Sequence, residues 1–435
     1  MRSLRSRWSV LADRVDGATP AGRDRAVDAL RAFAILGVVL GHWLVTAVTT
    51  ADGGLSGASP LAYMPWLAPV SWVFQTLAVF FLVGGQVAAG GYASARARGI
   101  PYGTWVGQRL GRLFRPVAAV LVLWTVAAGG MLLGGVPLDT VRTLVALVLS
   151  PLWFLLVFAA LTAVTPLVAR LNPLWPLAVV AGVDVWRFGF GGPEAIGWVN
   201  VAAGWLVPYA LGAAWSRGVF ARRGPALLLL CGGAAATASL VLWGGYPASM
   251  VGVPGAAVSN LNPPTLAAVA FGLAQCGLAL LVREPLARAM CRPRAWAKVA
   301  LVNLSAMTVF LWHQTAMIAV TAVGLLVSAD LPGLHTVPGS VGWTAARLLW
   351  LPVFAAALAV CWAAFRSYER PRSRRSPRTT PRPSPPPRPP GPPRSPGAPQ
   401  ASRPPRAARV AGSRAAAARR TGGACPDPVK EATGA

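Results

Sequence analysis

The chain has 435 residues, is 55% hydrophobic and only 12% charged, and has a mean hydropathy of +0.53. Soluble domains carry about one-quarter charged residues, so this composition excludes an ordinary water-soluble enzyme. The formal charge of +27 would suit a nucleic-acid partner, but residues 371–435 alone hold fourteen Arg/Lys against Asp427 and Glu431, and most other cations stand in short loops between apolar runs. Nucleic acid is therefore excluded as the partner, and the lipid bilayer takes its place.

In chain order, residues 1–24 form a basic segment without the apolar h-region of a cleavable signal peptide. Apolar runs then recur from residue 27 to residue 365. They predict ten membrane helices at about 27–48, 66–90, 116–135, 143–169, 174–188, 196–215, 225–243, 264–282, 300–326 and 343–365. The fifth is short and carries Asp184 and Arg187. Alternating strands of about ten residues, the mark of a membrane barrel, do not appear. The predicted class is all-α: a polytopic transmembrane helix bundle over 25–370, followed by a disordered Pro/Arg-rich tail over 371–435.

The loops carry a charge signature. Arginines precede the first helix and fill the links between helices two and three, six and seven, and eight and nine. The intervening loops 49–65, 244–263 and 327–342 contain no Arg or Lys at all. Arg and Lys accumulate on the cytoplasmic side, so this alternation predicts an inner-membrane protein with both termini in the cytoplasm. Arginine outnumbers lysine 38 to 2, which fits a GC-rich coding bias. The five cysteines form no CxxC or Cys/His ligand spacing, so neither a zinc site nor a disulfide framework is inferred and no metal is predicted.

Ionisable side chains inside apolar spans are costly and mark functional candidates. Arg31 and His42 share the first span, AVDALRAFAILGVVLGHWLVTAV. Eleven residues at about 100° each put them on nearly one helix face, about 16 Å apart along the axis. An imidazole, with an unperturbed pKa of about 6.5, can take a proton from a hydroxyl. A helix–helix hydrogen bond for His42 and an interfacial Asp28–Arg31 pair remain open alternatives. In QRLGRLFRPVAAV, Arg109, Arg112 and Arg115 run along one stripe just before helix three, with Pro116 at a break or first-turn position. Such guanidiniums match phosphate oxygens, or serve only as positive-inside residues. His313, in NLSAMTVFLWHQTAM, lies near the middle of helix nine with Asn303, Ser305 and Thr308 toward its start. Catalysis and inter-helix bonding are both open for it. Weaker signals are Gln75, Gln86 and Gly84-Gly85 in helix two, the aromatic PLWFLLVF at 151–158, and NLNPPTL at 260–266. His335 in an outer loop reads as a solvated bystander, and GGLSG at 53–57 as a flexible loop rather than a nucleophile elbow.

Taken together, RAVDALRAFAILGVVLGHW, RLFR, PLWFL and VFLWHQTAM, in that order over residues 23–368, resemble the acyltransferase-3 family of integral-membrane acyltransferases. The resemblance implies transfer of an acyl group, chiefly acetyl, from acyl-CoA to a hydroxyl of a carbohydrate or glycosylated acceptor. It implies His42 as catalytic base with Arg31 as its positioning or charge partner, and Arg112 and Arg115, with Arg109 beside them, on the CoA phosphates. His313 is a further catalytic candidate, as an oxyanion donor. Ala32 stands where the family commonly has glycine after the motif arginine. The rival function is a secondary transporter or permease for a glycan precursor, with histidines as a proton relay. It predicts two-fold internal repeats, and no convincing repeat is present.

Overall fold

The computed structural model describes residues 2–51 and 54–369; the predicted proline-rich tail and its Cys425 lie outside the described residues. Helix α1 (Arg2–Gly17) precedes α2 (Arg25–Val45), whose start is fixed by Asp24. The Asp24 carboxylate accepts from the Ala26 and Val27 amides, two donors with no partner inside the helix. After α2 comes a short antiparallel hairpin, β1 (Ala47–Ala51) and β2 (Gly54–Ala58), where a loop was expected. The GGLSG segment thus contributes its last four residues to β2.

The remaining long helices are α3 (Leu77–Ala97), α4 (Tyr102–Leu133), the stacked pair α5 (Leu138–Leu149) and α6 (Leu152–Ala163), α7 (Leu174–Asp184), α8 (Val199–Ser216) and α9 (Arg223–Leu242). They are followed by α10 (Leu266–Leu281), α11 (Arg283–Ala289), α12 (Pro293–Leu304), α13 (Ala306–Leu325) and α14 (Val341–Phe365). Among the described residues, eight helical segments are long and apolar enough to cross a membrane, and α10 with α11, bent by 48°, makes a ninth. The chain is a multi-pass membrane protein of the all-α class. Of the ten predicted spans, 174–188 falls short. Its α-helical part ends at Asp184 and a π-turn (Val185–Gly189) follows. Eleven residues rise about 16 Å against a hydrocarbon core of about 30 Å.

Two boundaries move in ways that bear on the site. Residues 60–71, read in part as the start of helix two, form three short turns around Pro60, Pro65 and Pro69, and α3 begins only at Leu77. Gln75 therefore sits in a turn rather than a span. Conversely, α4 begins at Tyr102, so Arg109, Arg112 and Arg115 lie within the helix rather than before it, and Pro116 is interior to it.

Packing is tightest between α3 and α8. A Cβ on Gly212 would lie 1.9 Å from the Leu82 carbonyl oxygen, and one on Gly85 would lie 2.0 Å from that of Tyr209. Only glycine lets the two backbones approach so closely. Around this contact an aromatic core joins Phe80, Phe81, Phe154, Phe158 and Trp205. Large apolar side chains such as Leu133, Leu349 and Val126 point outward, as a lipid-facing surface requires. Cys231, Cys276 and Cys361 are free thiols.

Candidate active site

The arginine-rich end of α2 is held by ion pairs. Asp28, 3% exposed, takes Arg23 at 2.5 Å and also pairs with Arg31. Arg25 bonds Asp16 at 2.6 Å, and Asn303 donates to the Asp28 carbonyl at 2.8 Å. The Asp28–Arg31 pairing is the interfacial alternative weighed from the sequence, and it is formed. Arg31 does not reach His42: α2 runs unbroken between them, so they remain about 16 Å apart along the axis.

Near Arg31 lies the stripe on α4. Arg109 donates to the Val87 carbonyl at 3.1 Å and lies over the Trp105 ring at 4.9 Å. It is within electrostatic reach of Arg31 and Arg112. Arg112 and Arg115 are exposed. Among the described residues, the ion pairs engage Arg23, Arg25, Arg31, Arg142, Arg223 and Arg283, and none involves Arg109, Arg112 or Arg115. Clustered cations without carboxylate partners form a field that favours a multiply anionic ligand.

At the other end of α2 the two span histidines meet. His42 Nδ1 lies 2.7 Å from His313 Nε2, and His313 Nδ1 lies 2.5 Å from the Phe310 carbonyl oxygen. The two rings are coplanar within 3°, with centroids 5.0 Å apart, a spacing that one N–N hydrogen bond and two ring radii account for. They meet edge to edge, not face to face. A carbonyl only accepts, so His313 Nδ1 carries the proton, which leaves Nε2 of its neutral ring as an acceptor. His42 Nδ1 must then donate to it, and the lone pair of His42 is placed on Nε2. His42 Nε2 has no partner among the described residues.

Two further contacts hold this end. The Trp43 indole donates to the His313 carbonyl at 3.0 Å. Arg347, 1% exposed, donates to the carbonyls of Trp43 (2.7 Å), Thr46 (2.6 Å) and Gly333 (2.9 Å) and stacks on Phe354 at 4.7 Å. It is a buried cation at a helix C-terminus, where the aligned carbonyls favour positive charge. The charge census of the loops misses Arg347 because it falls inside an apolar run. Its signal in the sequence is a lone arginine near the start of the last span, in TAARLLWLPVF.

His42 forms part of the wall of a cavity of about 520 Å3, within the size range of small-molecule sites. The motifs singled out along the chain converge here. Gly41 and His42 come from α2, Trp153 and Phe154 from PLWFL, Phe310 and Gln314 from VFLWHQTAM, and Leu261 and Asn262 from NLNPPTL. Thr46, Ser59, Ser71, Gln75 and Ser150 add to its polar lining. His313, fully buried, is not among the lining residues and stands behind His42. The loop 244–263 that covers one wall is clamped by Asp184, which accepts from Asn200 (3.0 Å), the Tyr246 hydroxyl (3.0 Å) and the Leu266 amide (2.6 Å). Burial and the adjacent Asp184 carboxylate push the Tyr246 phenol above its usual range, so it stays a donor. His335 is corrected from solvated bystander to structural residue: 2% exposed, it donates from Nε2 to the Thr321 carbonyl at 2.9 Å.

A helical membrane bundle with a histidine pair at one end of its first span and an arginine cluster at the other has the layout of a membrane-embedded transferase. A family model described as an acyltransferase domain, Acyl_transf_3, matches residues 24–366. The chain belongs to the acyltransferase-3 family and is an acyltransferase. No curated protein and no solved structure matches it.

Proposed function

We propose that the protein moves an acyl group, in the first instance acetyl, from acyl-CoA to a hydroxyl of a carbohydrate or glycosylated acceptor. The observation that carries this reading is the chain from the Phe310 carbonyl through His313 to His42, ending on an unpaired Nε2 at the cavity wall. His42 Nε2 takes the proton of the acceptor hydroxyl as its oxygen attacks the thioester carbonyl carbon; the carbon–sulfur bond then breaks, and the proton leaves with the CoA thiolate. As His42 gains positive charge, its Nδ1–H bond to His313 strengthens, and the Phe310 carbonyl dipole supports the far ring. His313 thus acts by positioning His42, in place of the oxyanion role first considered for it.

The phosphates of CoA fall to Arg112 and Arg115, whose planar forks suit them, with Arg109 pinned against Trp105 beside them. Arg31 contributes to that same field rather than to the chemistry at His42. The arginine-rich end is the cytoplasmic one by the positive-inside rule, so the start of α2 faces the cytoplasm and the membrane is the inner one. The thioester then spans the length of α2 to reach a cavity on the opposite side.

The test uses the protein in nanodiscs with radiolabelled acetyl-CoA and a panel of alkyl glycosides and oligosaccharides, beside His42→Ala and Arg115→Ala. Label passes to acceptor with the wild type, and His42→Ala loses about 10^3-fold or more in kcat. Equal labelling by His42→Ala overturns its role as base. Absence of acetyl-CoA binding overturns the donor assignment and returns the transporter reading.

A further inference from the structure

Of the polar side chains in the cavity wall, most are already engaged. Gln75 donates from Nε2 to the Met250 carbonyl at 2.9 Å. The Ser59 hydroxyl accepts from the Leu61 amide at 3.3 Å, and Ser71 and Ser150 donate to carbonyls of their own helical turns at 2.6 and 3.0 Å. Gln314 differs. It is 1% exposed, follows His313 directly, lines the cavity, and its Oε1 is buried with no hydrogen-bond partner. A buried amide oxygen without a donor is destabilised, and that cost disappears when a ligand supplies one. Trp153 lines the same cavity; it is only partly buried and packs against Trp205 with ring centroids 6.0 Å apart. The indole is thus braced from within.

We infer that Gln314 and Trp153 form the specificity subsite for the acceptor: the Gln314 amide oxygen accepts from a second hydroxyl on the molecule whose first hydroxyl reacts at His42, and Trp153 supports its apolar ring face. The subsite selects acceptors with at least two hydroxyls on a rigid ring over simple alcohols. This rests on the acyltransferase reading above. A site built to bond a hydroxyl discriminates against ligands that lack it far more strongly than an apolar pocket does, because its own polar group is then left unpaired. Gln314 is one residue from His313 on α13, so anchoring of the acceptor and support of the base come from the same helical turn.

The experiment compares the wild type with Gln314→Met and Trp153→Leu in nanodiscs, measuring acetyl transfer to octyl glucoside and to 1-octanol. Gln314→Met keeps side-chain length and removes the amide. For octyl glucoside its KM rises about tenfold or more, while the KM for acetyl-CoA stays within twofold and the preference for glucoside over octanol collapses. Trp153→Leu raises the glucoside KM likewise, and Trp153→Phe restores part of it. An unchanged glucoside KM and preference in Gln314→Met, with active wild type, overturns the subsite alone. No transfer to either acceptor by wild type that still binds acetyl-CoA instead overturns the acyl-transfer reading on which the subsite depends. Thermal unfolding of each variant separates a lost subsite from a lost fold.

Discussion

The chain of hydrogen bonds behind His42 makes a quantitative demand on His313. Substituting His313→Ala removes the acceptor for His42 Nδ1–H, which is held at 2.7 Å in the intact protein. An unpaired donor in that setting costs about 1–3 kcal/mol, or roughly 5- to 150-fold in the population of the productive ring. The same change frees the ring to rotate and to place its proton on Nε2, where it cannot act as a base. The drop in kcat is therefore about 10^2-fold. It remains smaller than that of His42→Ala, since a positioned general base contributes about 10^2 to 10^4. His313→Gln is the informative partner. Its side-chain oxygen reaches about as far as Nε2 and accepts, so kcat recovers to within about tenfold of the wild type. The assay is initial-rate acetyl transfer with both substrates varied, on nanodisc samples matched for monodispersity. Wild-type kcat in His313→Ala, or no difference between Ala and Gln, would refute the positioning argument.

Other consequences are as direct. Arg112→Ala and Arg115→Ala each raise the acetyl-CoA KM about 5- to 50-fold, with a smaller effect when dephospho-CoA thioester is the donor, because one phosphate fewer is recognised. Arg347→Met leaves the Trp43, Thr46 and Gly333 carbonyls without their donor; it lowers stability by about 3 kcal/mol, seen as an earlier melt by fluorescence-detected gel filtration. Gly212→Ala sets a methyl 1.9 Å from the Leu82 carbonyl oxygen, so α3 and α8 must separate; the expected result is loss of the monodisperse peak, whereas Gly103→Ala, with nothing within 4 Å, leaves it unchanged.

The sequence made the membrane class, the first span and its histidine legible because long apolar runs and isolated ionisable groups are strong one-dimensional signals. It also picked out each motif that meets at the cavity. What it missed is what depends on pairing across the bundle. Nothing local says that His313 faces His42, since 271 residues separate them. Arg347 was hidden because a single arginine in an apolar run looks like an accident until its three carbonyls are seen. His335 was misjudged because its loop carries no charge pattern that reports burial. The start of α4 moved toward the N-terminus because a helix can continue past the membrane edge as an arginine-bearing extension, where hydropathy no longer marks it. The shortfall at 174–188 has a different cause: the run is apolar enough but too short, even with the π-turn after Asp184 added to its helix.

The ties made by Arg347 also set an order of events during synthesis. His42 is made early, on the first span, but the side chain that holds the end of its helix belongs to the last. Its ring partner, His313, belongs to the span just before that. A nascent chain, or a fragment ending before residue 347, can insert its early helices one by one yet has no means of closing the catalytic end. The end of α2 that carries His42 is tied down only when the final span docks against the first, so the last helix made is the one that secures the first.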